Sequence, residues 1–239
     1  MGSSYRHPPK DLPEGSLLST PDISPDGTRV AYRVTFNQRG GIYVSPLAGG
    51  TPTLLVPNAA SAPSWSPDGV SLVFVWTKPN GVPALATLRL GANRPEEIPD
   101  LPASCTTSPV WSPSGEWIAC GAQSSQNGPL SVTPLLVSPD GNRKNLLKPI
   151  NAFMLAWGAD SRTLYGLDWR SGRLILSAED IASGAVRNVA DYGPGLNVYL
   201  GRTSFGRMSL SPDGKSFAVG LSKGPSIQSD LWLLDGFTK

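Results

Sequence analysis

Histidine is almost missing from this sequence: its 239 residues hold one, His7, in a Pro-flanked stretch near the start. A Ser-His-Asp hydrolase needs an imidazole base beside its nucleophile, and His7 reads as a solvated tail residue. No G-x-S-x-G nucleophile elbow occurs, and no H-E-x-x-H or C-x-x-C spacing offers zinc ligands. A G-x-x-x-x-G-K-[ST] phosphate loop and an acidic calcium loop are missing too, so neither a metal nor a cofactor is expected. Charge of one sign is equally scarce. The formal net charge is +2 with 16% charged residues, which supplies no basic patch for nucleic acid and no acidic tail. No apolar run approaches the roughly 20 residues that span a bilayer. Two cysteines, Cys105 and Cys120, cannot build a disulfide-rich scaffold; they read as one pair or, the preferred reading, as two free thiols. Residues 1–9 read as an N-terminal tail, with Ser3-Ser4 resembling a vector remnant. They lack the apolar middle of a secretory signal, so an export signal, if the protein has one, lies outside this sequence.

Backbone punctuators, in contrast, are abundant: 26 glycines and 24 prolines. Both are poor in helix interiors, which excludes a mostly helical protein. Seven Trp, six Tyr and six Phe are enough for a packed core, which argues against disorder.

Self-similarity then decides the fold. Ser24-Pro25-Asp26-Gly27 recurs as Ser66-Pro67-Asp68-Gly69 and as Ser112-Pro113-Ser114-Gly115. A degraded copy follows at Gly158-Ala159-Asp160-Ser161, and a clean one at Ser211-Pro212-Asp213-Gly214. The first residues lie 42, 46, 46 and 53 apart. Each copy is preceded by a large apolar residue (Ile23, Trp65, Trp111, Trp157, Leu210) and followed by a short apolar run such as Leu72-Val73-Phe74-Val75. The tetrapeptide is hairpin chemistry: Pro presets φ, Asp bonds local amides, and Gly takes the left-handed conformation that follows a type I turn. The Trp is a wedge suited to the gap between sheets, so Trp65, Trp111 and Trp157 are expected between blades. Residues 41–46, 130–137, 173–178 and 230–234 read as third strands, and 53–56 and 145–148 as fourth strands. Ser138-Pro139-Asp140-Gly141 is out of phase and reads as the turn between the third and fourth strands of the third unit. Residues 192–205 read as one long insert without a sixth motif. Four strands per roughly 45 residues define a β-propeller. The expectation is an all-β, single-domain propeller over residues 10–239, with five four-stranded antiparallel blades. Leu12, Leu54 and Leu146 each precede the leading residue of the next motif by 11 positions. Residues 10–13 therefore fall in the phase of a fourth strand, which would close the last blade.

The W-S-P-D-G motif followed by a short apolar strand resembles the WD40-like repeats of TolB-type propellers. The opening Leu12-Pro13-Glu14-Gly15, Thr20-Pro21 and Ile23-Ser24-Pro25-Asp26-Gly27 is also similar to propellers attached to some bacterial serine/threonine kinases and transcriptional regulators. The resemblance covers about residues 10–239 and is specific for architecture. TolB-type propellers usually have six blades, whereas five motifs are found here. The resemblance implies a non-enzymatic scaffold that binds a protein or peptide through one face and the central funnel, in a periplasmic or extracytoplasmic setting, though the residues themselves leave the compartment open. A monomer is expected. The alternative is a regulatory or gating propeller of a larger hydrolase or kinase, since prolyl-peptidase-like enzymes carry similar propellers. A five-bladed glycosidase is a distant third, because it needs converging carboxylates and Asp22 is the single acid in the channel-facing phase. Candidate channel residues are Thr20, Asp22, Ser64, Ser108 and Arg207; candidate partner-face residues are Trp76, Trp169, Tyr199 and Arg202. Asp26, Asp68, Asp160 and Asp213 are read as structural turn residues.

Overall fold

The computed structural model describes residues 12, 14–37, 39–102, 104–105, 107–123, 132–148, 152, 154–198, 207–211, 213–223 and 230–234. Every regular element among them is a β-strand. The first blade is β1 (Leu17–Ile23), β2 (Arg29–Phe36), β3 (Arg39–Pro46) and β4 (Thr53–Pro57), paired antiparallel in that order. The second is β5 (Ser64–Trp65), β6 (Ser71–Thr77), β7 (Pro83–Arg89) and β8 (Glu96–Glu97), and the third is β9 (Val110–Trp111), β10 (Ile118–Gln123), β11 (Val132–Val137) and β12 (Lys144–Leu146). The fourth is β13 (Met154–Trp157), β14 (Thr163–Arg170), β15 (Arg173–Asp180) and β16 (Ala185–Pro194).

These four blades are complete, but the fifth sheet departs from the expected five. It contains β17 (Leu196–Val198), β18 (Met208–Leu210), β19 (Phe217–Lys223) and β20 (Asp230–Leu234). β17 pairs with Leu221–Lys223 and β18 with Phe217–Val219, both along one edge of β19, while β20 takes the other edge. The inner position is thus split between two short strands, and the sheet is three strands across. The reading of residues 192–205 as one insert is corrected at its start: β16 runs on through Pro194, and Leu196–Val198 is itself a strand. Residues 1–11 and 13, which include three of the four positions of the expected closing strand, lie outside the described residues.

Alternation along each strand sends side chains to both neighbouring blades. On β6, Leu72 and Phe74 join Ile42 and Val56 of the first blade, whereas Val73 and Val75 join Ile118 and Leu135 of the third. This two-sided burial explains why that strand reads as an unbroken apolar run. The next seam packs Val110, Ala119 and Leu136 against Leu155, Trp157 and Leu164. The last described seam packs Met154, Leu167 and Leu176 against Met208, Phe217 and Val219.

The hairpin turns show why the tetrapeptide repeats. In the first, Ser24 Oγ donates to Asp26 Oδ1 (2.5 Å), which also accepts the Thr28 amide (3.0 Å), while Ser24 Oγ accepts the Arg29 amide (2.9 Å). The same set recurs around Ser66–Asp68 and Ser211–Asp213. It recurs around Ser138–Asp140 as well, which joins β11 to β12. Serine and amide donors hold these carboxyls below their ordinary range; Asp26 falls to about 2. In the degraded turn, Ser161 stands where the others have Gly and has φ 55°.

One further expectation is corrected. Cys105 and Cys120 are not free thiols but a disulfide, with Cα atoms 5.7 Å apart. Cys105 makes a bridge to Ala122 beside β10, a register that sequence spacing does not reveal. Trp111 packs on the seam between the second and third blades, as expected, but is half-buried and not fully enclosed. Trp65 and Trp157 are 5% and 7% exposed, and their indole N–H groups donate to the Asp22 and Val110 carbonyls of the preceding blade. The Trp111 indole donates instead to Gly115 of its own turn (3.2 Å).

Candidate functional site: the axial opening

The inner strands of all five sheets converge on one opening of about 260 Å³. Its wall includes Asp22 and Ile23, Ser64 and Trp65, Trp111, Trp157, and Arg207 with Leu210. Each inner strand brings the residue before its motif to this rim, so the repeat itself builds the site.

Asp22 is the most connected residue there. Its Oδ2 accepts the Trp65 amide at 2.8 Å and faces Arg207 Nη1 at 3.2 Å, while its carbonyl takes the Trp65 indole at 3.0 Å. Ser64 repeats the arrangement one blade on, accepting the Trp111 amide at 3.2 Å. Arg207, from the segment entering β18, also donates to the Pro63 carbonyl at 2.8 Å. One guanidinium thereby ties the fifth sheet to the first and second blades across the axis. Charge-assisted contacts of this kind are short and directional.

Of the sequence candidates, Asp22, Ser64 and Arg207 meet at this opening. Ser108 is buried beneath the rim, where its Oγ accepts the Ala62 amide at 3.3 Å. Thr20 sits at a register shift in β1 with φ 50°, its Oγ1 buried and without a hydrogen-bond partner among the described residues. Trp76 is the penultimate residue of β6 and packs half-buried on the seam between the first and second blades. Trp169 lies in β14 opposite Leu174. Tyr199 and Arg202 lie outside the described residues.

Sequence reasoning treated Trp65, Trp111 and Trp157 as core alone, yet all three also wall the opening. It gave no signal for a second, larger cavity of about 660 Å³ on the first blade, bordered by Val34, Phe36, Tyr43, Leu54 and Pro57. Leu54 in its wall is 48% exposed. Alternating apolar residues look alike in sequence whether or not a neighbour covers them.

No protein-family model matches the chain. Crystallographic TolB from Acinetobacter baumannii superposes with a TM-score of 0.72 at 21% identity, over 94% of this chain and 53% of that one. TolB of Francisella tularensis is 32% identical over 84 residues, 35% of this chain and 17% of that protein. An uncharacterized peptidase of Bacillus subtilis, YuxL, is 22% identical over 206 residues, 83% of this chain and 28% of that protein. Matching solved structures include further peptidases. The chain has the fold of a TolB-type β-propeller, built of four-stranded antiparallel blades. It spans about half of the matched TolB structure or less of each curated relative.

Proposed function

We propose that the chain is a non-enzymatic propeller scaffold that binds a protein or peptide at its axial opening and the surrounding face. One observation carries this reading: three of the five inner strands present tryptophans, beside a paired Arg207–Asp22, at a single concave mouth. Aromatic and arginine side chains around a pocket are the usual anchors of protein contacts. The likeness to TolB points the same way. The Cys105–Cys120 disulfide suits an oxidising, extracytoplasmic setting. In this reading residues 10–239 form one monomeric ring, with residues 10–13 as the outer strand of the fifth sheet. Trp76, Trp169, Tyr199 and Arg202 then belong to the partner face.

The likeness to a peptidase, of which the chain spans 28%, supports a second reading as the gating propeller of a larger enzyme. Affinity capture with the isolated chain separates the two. The scaffold reading expects a stable protein partner whose capture falls at least tenfold in Ile23→Asp, since Ile23 is 56% exposed at the mouth. Capture of nothing but a hydrolase domain would favour the gating reading, and unchanged capture by Ile23→Asp would move the site elsewhere.

A further inference from the structure

We infer that Glu179 is a protonation-sensitive clamp on the seam between the third and fourth blades. β15 sends Leu174 and Leu176 toward the fifth sheet, so Ile175, Ser177 and Glu179 face the third blade. Glu179 is 0% exposed. Its Oε1 accepts the Lys148 amide at 3.2 Å, and Oε2 is buried without a hydrogen-bond partner among the described residues. Lys148 follows β12, where the chain leaves the outer strand of the third blade for the inner strand of the fourth. The carboxyl therefore fastens that crossover.

The neighbours do little for a charge. Across the sheet from Glu179 stand Leu164 on β14 and Val186 on β16. Further along the same face, Asp168 is bonded to Arg170 at 2.6 Å, and Arg170 reaches Ser177. Arg187, beside Val186, falls on the opposite face. From the third blade come Lys144 and Lys148, and the Lys148 side chain runs toward the turn at Gly184. Burial pushes the Glu179 carboxyl above its ordinary range, against smaller opposing pulls from the Lys148 amide and charge. An orphan buried oxygen is costly as an anion and much less so as part of a neutral acid. A folded value above the unfolded one means stabilisation present below the unfolded pKa and lost as pH rises through the folded value.

Few other groups contribute between these limits: the sequence holds a single histidine, His7, the turn aspartates are held below their ordinary range, and Glu179→Gln removes the Glu179 contribution alone. The test compares thermal melting and amide exchange of the whole chain at pH 5 and pH 8. The wild type should melt lower at pH 8, and protection of the Lys148 amide should fall about tenfold beyond the intrinsic pH effect. Glu179→Gln should melt higher than wild type at pH 8 and lose that difference. A pH difference that persists in Glu179→Gln, or a Gln variant less stable at pH 8, overturns the clamp. If the Gln variant fails to fold, Lys148 protection in the wild type decides alone: equal protection at both pH values overturns it.

Discussion

Single side chains do different work at equivalent repeat positions. Trp65 and Trp157 each fill a seam and bond the preceding blade, whereas Trp111 bonds its own turn. Truncating a buried large aromatic costs about 3–5 kcal/mol. Trp65→Ala and Trp157→Ala should fall in that range by denaturant melts, and Trp111→Ala clearly below it. The turn aspartates contribute to acid sensitivity. The Asp26 carboxyl is held at about 2 instead of 3.8, so its stabilisation is present above the unfolded value and lost as pH falls from about 4 to 2. Asp26→Asn should flatten that part of an acid titration followed by circular dichroism.

Turns and strands come next in scale. Ser114 replaces aspartate in the third motif, and its hydroxyl lies 3.2 Å from Ser112 Oγ and 3.3 Å from the Glu116 amide. Both contacts are longer than their aspartate counterparts. Ser114→Asp should restore the carboxylate turn and raise stability by about 0.5–1.5 kcal/mol, the worth of one net hydrogen bond. The strand phases, the hairpin turns and the out-of-phase Ser138–Gly141 turn were legible because Pro, Asp and Gly act on their own few residues. The disulfide, the split inner strand of the fifth sheet and the turned indole of Trp111 were not. The disulfide and the split strand depend on pairing register between separate segments, and the Trp111 indole on which of two nearby carbonyls its ring reaches; neither is set by residue type alone. The axial site was half legible: repeat phase located Asp22, Ser64 and Arg207, but could not show that the tryptophans serve the wall as well as the seam.

For the molecule as a whole, the disulfide is the covalent tie. It closes a 15-residue span, worth about 3 kcal/mol in the chain-entropy account. Reduction, or Cys105→Ala with Cys120→Ala, should lower the melting temperature accordingly. The proposed ring closure is tested by truncation. Removing residues 1–14 should cost a few kcal/mol, since three or four net hydrogen bonds at about 0.5–1.5 kcal/mol each would go, and it should promote association through the bared strand edge. Removing residues 1–4 should be neutral, and equal melting of both truncations with the parent would exclude a closing N-terminal strand. The apolar packing of Phe217, Val219 and Met208 on the fourth blade, with Tyr165 edge-on to Phe217 at 5.1 Å, has a consequence in the cold. Hydrophobic attachment weakens on cooling while hydrogen-bonded junctions are less affected. Near freezing, the fifth sheet should therefore be the first to loosen, visible as amide exchange at Phe217–Lys223 that outpaces exchange in β6 and β10, and a partner held at the axis should bind more weakly at 4 °C than at room temperature.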